Sequence, residues 1–308
     1  MKMEETLIFG HKNPDTDSIT SALVMADFEK KIGNKAKACR LGKLNKETKY
    51  VIDYLKIEEP TLIEKVDAGQ NVILVDHNEF NQSIQGVENA KILKVIDHHR
   101  ISNFQTSDPV YYRAEPVGCT ATVLYKLYKE NNIKIEKNIA ILMLSAILSD
   151  TLLFKSPICT KEDIKIVEEL NKIAGLNIEE YGLNMLKAGT DLSDLSADEL
   201  ISLDAKEVTI GSYKTIIAQV NTASIPEMLK RKEEIETAIN KEIEDKNLDL
   251  FFLAITDIIN SNSQVIALGN NANLVEKAYN VKLENNTAFL KDVVSRKKQI
   301  IPILTKSI

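Results

Sequence analysis

Through the first half of the chain, apolar runs of strand length alternate with stretches in which apolar residues recur at helical spacing. TLIFG (6–10), NVILVDH (71–77) and KILKVIDHH (91–99) read as buried strands. Ile19, Ala22, Leu23 and Ala26 mark a helix with Asp17 or Ser18 as its cap. ETKYVIDYLKI (47–57) reads as a second helix, and PVGCTATVLYKLYKENN (116–132) as a third that starts at its proline. IAILMLSAILSD (139–150), apolar nearly all round, reads as a buried helix, and TKEDIKIVEELNKIAG (160–175) as a capped one stopped by Gly175. Strands alternating with helices predict a parallel, doubly wound sheet.

The pattern changes at AGTDLSDLSADE (188–199), which is polar, acidic and rich in small residues, as a linker leading into a helix start would be. Beyond it DAKEVTI, YKTIIAQV, LDLFFLAITDII and SQVIALG read as strands. PEMLKRKEEIETAINKEIEDKN (226–247) reads as one charged surface helix, and NLVEKAYNV (273–281) as another. The expected class is therefore α/β: a larger N-terminal domain with a doubly wound parallel sheet, plus a smaller α/β C-terminal domain with a mixed sheet. The expected boundaries are 1–188, a linker at 189–195, and 196–308.

Composition agrees with two domains, since 308 residues at roughly 150 per domain leave room for two cores. A chain that is 44% hydrophobic and 27% charged is neither disordered nor collagen-like. There are 25 basic and 27 acidic residues through residue 188, and 14 and 18 beyond it. Neither part has the basic excess of a nucleic-acid binder, so no nucleic-acid partner is expected. The longest apolar run, 139–148, is interrupted by Ser145 and falls far short of the ~20 residues of a membrane span. The opening MKMEETLIFG lacks a signal-peptide pattern, so the expected location is cytoplasmic, with no membrane partner. Cys39, Cys119 and Cys159 are odd in number and unpaired in spacing, which argues against a disulfide framework or a structural zinc site.

The chemistry concentrates where predicted elements end. All four histidines, His11, His77, His98 and His99, fall in the first 99 residues. LIFG runs into His11-Lys12-Asn13-Pro14-Asp15-Thr16-Asp17, VILV into Asp76-His77-Asn78, and LKVI into Asp97-His98-His99, while the 139–150 helix ends in Ser149-Asp150. In open parallel sheets ligands bind beyond the carboxyl ends of the strands. Any one of these aspartates taken singly reads as a cap or turn residue. Four element ends carrying the same chemistry read as a metal site, because gathered carboxylates are costly to desolvate unless a cation neutralises them. Imidazole and carboxylate without thiolate favour manganese, cobalt or magnesium. The carboxylates outnumber the needs of one ion and suit two, about 3.5–4 Å apart, bridged by a carboxylate and a water.

In order and type these residues resemble the motifs of the DHH phosphoesterase superfamily, and within it the family II (manganese-dependent) inorganic pyrophosphatases. Gly10-His11-Lys12-Asn13-Pro14-Asp15-Thr16-Asp17-Ser18 is similar to the first motif, Val75-Asp76-His77-Asn78-Glu79 to the second, and Ile96-Asp97-His98-His99 to the block that names the superfamily. Glu115 to Thr122, Leu148-Ser149-Asp150-Thr151 and Ser295-Arg296-Lys297-Lys298-Gln299 continue the series, with Lys298-Gln299 departing from the family's motif tail. The resemblance spans the whole chain. It implies one metal on His11, Asp15 and Asp76, and a second on Asp17, Asp76, His98 and Asp150. It places His99 beside them as a substrate and acid/base contact, with His77 and Asn78 as supports, and gives Lys206, Arg296 and Lys297 to the phosphate oxygens. The implied cofactors are two Mn²⁺ (or Co²⁺) per site, with Mg²⁺ arriving with the substrate. The implied activity is hydrolysis of pyrophosphate by a metal-bridged water between two closing domains, in a homodimer. Nothing resembles the nucleotide-binding regulatory insertion of some members, so no adenylate regulation is expected.

Two other readings compete. DHH relatives that cleave short oligonucleotides or cyclic dinucleotides carry a Gly-Gly-Gly-His-type motif in the second domain, and no histidine follows His99 here. A catalytically silent metal or phosphate sensor is the third reading, and turnover discriminates it.

Overall fold

The aliphatic runs of the first half assemble side by side because each can bury both faces. In the computed structural model, which describes residues 5–308, they form a six-stranded sheet. The first four residues, part of the stretch read for a signal sequence, lie outside the described residues. The strands are β1 (Thr6–Phe9), β2 (Ala36–Arg40), β3 (Thr61–Leu62), β4 (Asn71–Val75), β5 (Lys91–Asp97) and β6 (Tyr111–Ala114). Their order is β3-β2-β1-β4-β5-β6, with every pairing parallel. The chain thus builds outward from β1 in one direction and then crosses over to build in the other. The reversal falls between β1 and β4, where such sheets open a crevice outside the strand ends.

Six helices accompany this sheet: α1 (Thr16–Lys31), α2 (Lys46–Leu55), α3 (Thr120–Glu130), α4 (Lys137–Asp150), α5 (Lys161–Ala174) and α6 (Ile178–Gly189). Helix α4 packs against α1, α3 and α5, and its residues 140–148 are all buried, which accounts for an apolar circumference rather than a stripe. Its C-terminal residue is Asp150. Gly10 lets β1 meet α1 closely: a Cβ there would lie 1.8 Å from Ser18 Oγ. This close approach sets the loop that carries His11 and Asp15.

The chain divides into two compact units, residues 1–188 and 189–308. Residues 190–195 form neither helix nor strand, and a capping box of Ser196 with Glu199 starts α7 (Ala197–Ser202). The second unit holds β7 (Ala205–Ile210), β8 (Tyr213–Thr222), β9 (Leu250–Asp257), β10 (Asn262–Leu268) and β11 (Thr287–Leu290) in the order β11-β10-β9-β8-β7. Only β8 and β9 pair in parallel, so the sheet is mixed. All eight residues of β9 are buried, because apolar layers cover both faces. One layer contains Ile239, Leu253 and Ile255, and the other Phe252, Val275 and Leu304.

Several expectations are corrected. The cap of α1 is Asp15, whose Oδ1 accepts from Ser18 N at 2.9 Å; Asp17 lies inside the first turn, fully buried. Helix α3 begins at Thr120, not at Pro116, because residues 115–119 are held in a loop by side chains described below. The expected single helix over 226–247 is two, α8 (Ile225–Leu229) and α9 (Lys232–Lys246). At the break, the Arg231 guanidinium donates to the carbonyls of Leu192 (2.9 Å) and Leu195 (2.7 Å). Beyond α10 (Asn273–Tyr279), a π-helical turn over Arg296–Ile300 leads into α11 (Ile301–Lys306). Pro302, without an amide proton, cannot extend the preceding ladder of hydrogen bonds. The sequence pattern predicts none of strands β2, β3, β6 and β11 and neither helix α6 nor α11.

Leu144 is fully buried in α4. Leu144→Ala is expected to cost roughly 2–5 kcal/mol of unfolding free energy. The measurement is the urea midpoint at unchanged slope, and an unmoved midpoint would contradict the interior placement of α4.

Candidate metal centre

The predicted ligands converge at the switch point. His11 and Asp15 follow β1, Asp17 sits in the first turn of α1, Asp76 follows β4, His98 and His99 follow β5, and Asp150 ends α4. Asp76 is central. Its backbone is left-handed (φ 59°), which aspartate tolerates better than most residues, and its carboxylate is only 2% exposed. Oδ2 lies 3.4 Å from His11 Nε2, which is also 3.4 Å from Asp15 Oδ2. Oδ1 lies 3.4 Å from His98 Nε2 and 3.5 Å from His99 Nδ1. His98 Nε2 is in turn 3.7 Å from Asp150 Oδ2. Three ligand groups result, each with its candidate atoms within 4.8 Å of one another: His11, Asp15 and Asp76; Asp17, His98 and Asp150; Asp76, His98 and His99.

These side chains suit divalent cations on three counts. The imidazole–carboxylate separations exceed ordinary hydrogen-bond lengths. Asp76 Oδ2 is buried with no hydrogen-bond partner, a costly condition that a cation would relieve. His98 Nδ1 donates to the Val117 carbonyl at 3.1 Å, which leaves Nε2 facing Asp76 and Asp150 as a ligand nitrogen should. The donors are nitrogen and oxygen; the nearby Cys119 thiol is pushed well above its ordinary pKa by burial and by Asp17 and Asp150.

The electrostatics carry the same demand for positive charge. Burial opposes charging His11, yet the Asp15 and Asp76 carboxylates outweigh it and raise the imidazole to about 10. Burial, reinforced by Asp76, raises Asp17 to about 7. Burial would raise Asp76 too, but His11 and His98 hold it well below the usual carboxylate range. Burial and the neighbouring His98 push His99 down to about 4, so it is neutral at pH 7.

The other residues of these loops are braces. His77 is turned to the Val75 carbonyl (Nδ1, 2.9 Å) and Ser83 Oγ (Nε2, 3.0 Å). Asn78 Nδ2 donates to Asp97 Oδ2 (2.7 Å) and the Arg100 carbonyl (2.8 Å). Asp97 Oδ1 accepts from the amides of His98 and His99 and from His99 Nδ1 at 3.0 Å, which orients the His99 ring. Thr120 donates its amide to Asp17 Oδ2 (2.7 Å) and its hydroxyl to Asp76 Oδ1 (3.2 Å). Buried Glu47 accepts from the hydroxyls of Thr16 and Ser149, each adjacent in sequence to candidate ligands. Neither Thr120 nor Glu47 was assigned a role from sequence. Thr120 stood unremarked within a motif, and Glu47 looked like any helical glutamate.

In the second unit the Arg296 guanidinium forks onto Asp204, with Nη1 2.6 Å from its carbonyl and Nη2 2.7 Å from Oδ1. Lys206, two residues further along, pairs in β7 with Ile217 of β8, whose carbonyl is 3.4 Å from Arg296 Nη1. Arg296 therefore lies beside the start of the edge strand β7, which carries Lys206. Lys297 follows in the π-helical turn. Gln299 ties that turn down, accepting from the Val294 and Ser295 amides (2.9 and 3.1 Å). The residue that departs from the family motif's tail thus has a structural task.

A parallel sheet with an Asp/His cluster at its switch point, joined to a mixed-sheet unit, defines a two-unit DHH-type protein: residues 5–147 match the DHH family, N-terminal domain, and 183–307 the DHHA2 domain. A manganese-dependent inorganic pyrophosphatase from Bacillus subtilis is 61% identical over 304 residues, 98% of each chain. A Bacillus velezensis relative is also 61% identical, over 307 residues and 99% of each chain. The crystal structure of a Methanococcus jannaschii protein assigned to the family II inorganic pyrophosphatases superposes with a TM-score of 0.86 at 40% identity, covering 98% of this chain and 99% of that one. The chain belongs to the manganese-dependent, or family II, inorganic pyrophosphatases.

The braces yield a pH prediction. Burial holds His77 down to about 4, although the Val75 carbonyl works in the other direction. The unfolded chain therefore binds this proton more tightly, and stability present above pH 6.5 is lost as pH falls towards 4, by up to about 3 kcal/mol. His77→Gln is expected to flatten that acid slope, measured as urea midpoints between pH 4 and 6.5. An unchanged slope would contradict a neutral buried His77.

Proposed function

We propose that this chain hydrolyses inorganic pyrophosphate to two phosphates. Membership of the pyrophosphatase family supports this reading, and the observation that carries it is buried Asp76, one oxygen facing His11 and the other facing His98 and His99. His11, Asp15 and Asp76 would hold one Mn²⁺, and Asp17, Asp76, His98 and Asp150 a second, with Co²⁺ as a substitute and Mg²⁺ accompanying the substrate. Two such ions would neutralise anionic charge and lower the pKa of a bound water towards neutrality.

The chain's own side chains supply the remainder. His99, 28% exposed with Nδ1 committed to Asp97, keeps Nε2 for a proton or a phosphate oxygen. Arg296 is held ready by Asp204 and exchanges that carboxylate for a phosphate, where its planar fork matches two oxygens. Lys206 and Lys297 add point charges. Because the phosphoryl group carries most of the charge, positioning and electrostatics accomplish the reaction with little covalent participation by protein. The 189–195 segment would let the units close over substrate. No helix among the described residues is long and apolar enough to cross a membrane; a cytoplasmic homodimer completes the proposal.

Mn²⁺-reconstituted protein is expected to release phosphate from pyrophosphate, to lose that activity on chelation, and to leave a linear dinucleotide intact. Cleavage of the dinucleotide with no phosphate release would overturn the reading. Arg296→Ala is expected to reduce kcat/KM by about 10²–10³-fold, the usual loss for one donor to developing charge. Wild-type kcat/KM in that variant would remove Arg296 from the site.

A further inference from the structure

Asp163 belongs to none of the ligand groups, yet it is fully buried. It is the third residue of α5 and completes a capping box: Oδ2 accepts from Thr160 N (2.7 Å) and Thr160 Oγ1 (2.6 Å). A cap needs nothing more. The same carboxylate also accepts from Gly118 N (2.9 Å, Oδ2) and Thr122 Oγ1 (2.6 Å, Oδ1), both far away in sequence.

The segment seized in this way meets the metal centre three times. The Val117 carbonyl accepts from His98 Nδ1, Thr120 N donates to Asp17 Oδ2, and Thr120 Oγ1 donates to Asp76 Oδ1. Those contacts reach His98 and Asp17, each held by one candidate ion, and Asp76, shared by both. At position 118 a Cβ would lie 2.7 Å from Asp163 Oδ2 and 3.0 Å from Thr151 Cγ2, so only glycine admits this approach. The near end of the segment is held separately: Glu115 is gripped by Arg113 (2.7 Å) and Lys126 (2.5 Å).

We infer that Asp163 is a positioning residue for the metal centre, its carboxylate fixing the 117–122 segment at the depth from which Val117 and Thr120 orient His98, Asp17 and Asp76. The inference rests on the two-metal reading above. Outer partners of this kind set ligand orientation, and their loss weakens metal binding by about 10–100-fold.

The test is Mn²⁺ affinity of the full chain, read from the free-ion electron paramagnetic resonance signal, for wild type, Asp163→Asn, Gly118→Ala and Thr160→Val. Asp163→Asn and Gly118→Ala are expected to bind Mn²⁺ about 10–100-fold more weakly, with circular dichroism confirming the fold. Gly118→Ala crowds Asp163 Oδ2 from the segment's side while keeping both capping residues, Thr160 and Asp163, so it decides the matter if Asp163→Asn does not fold. Thr160→Val removes the cap hydroxyl but keeps the Asp163 bonds to Gly118 and Thr122, and is expected to lower the melting temperature while keeping wild-type affinity. Folded Gly118→Ala with wild-type affinity would overturn the inference, as would a Thr160→Val loss equal to that of Asp163→Asn. A wild-type chain that binds no Mn²⁺ would overturn the two-metal reading together with it.

Discussion

The structure of the first unit turns on one constraint: Asp76 places both carboxylate oxygens, nearly shut off from water, among imidazoles and other carboxylates. An ionised carboxylate so placed is tolerable only with compensating positive charge. The chain offers a protonated His11 for this, raised to about 10 by its acidic neighbours after burial is overcome. A divalent ion offers more charge at the same place and frees the imidazole to act as a ligand. The reversal of strand order between β1 and β4 makes the arrangement buildable, because it brings the loops after β1, β4 and β5 to one edge without threading chain between them.

Legibility in the sequence followed the strength of the local signal. β1, β4 and α4 were plain because burial demands nearly continuous apolar runs, β5 because Ile92, Val95 and Ile96 mark a strand despite Lys94, and Thr160 and Gly175 marked both ends of α5. β3 escaped because it is two exposed residues, and β2 and β6 because AKACR and YYRA are short and partly exposed, with no apolar run. The start of α3 was misplaced for a different reason. Pro116 is acceptable at a helix start, but Asp163, more than 40 residues later, captures the Gly118 amide and keeps the intervening residues out of the helix. Propensity carries no trace of such a contact. The candidate ligands stand visibly at the element ends; the groups that brace them, Thr120, Glu47 and Asp163, are defined by partners distant in sequence.

The modest net charge of −6 takes on meaning from this arrangement. Global attraction cannot draw a polyanion to an acidic protein, so binding depends on charge placed locally. The second unit shows how a cation is kept in position. Arg296 is only 13% exposed and spans the Asp204 carbonyl and carboxylate, while Gln219 Oε1 accepts from its amide at 3.3 Å and Gln219 Nε2 donates to the Val294 carbonyl at 2.9 Å. A guanidinium restrained in this way loses less freedom on meeting a phosphate than a lysine on an open surface would. The π-helical turn, capped by Ser295 and tied by Gln299, sets where that arginine leaves the backbone.

The buried carboxylates also sort themselves by how completely they are satisfied. Asp97 accepts from two amides, from His99 Nδ1 and from Asn78 Nδ2. Asp163 accepts from two amides and two hydroxyls. With four donors each, these two have little capacity left for a cation, and their work is to fix loops. Asp76 accepts one hydroxyl bond at 3.2 Å, keeps Oδ2 unpartnered, and meets its imidazoles beyond hydrogen-bond length. All three read as an aspartate in the sequence, and Asp76 and Asp97 stand at equivalent strand ends. What separates the braces from Asp76 is the donor count that the fold supplies: where it provides four, the carboxylate fixes a loop, and where it withholds them, the carboxylate keeps the capacity to meet a cation.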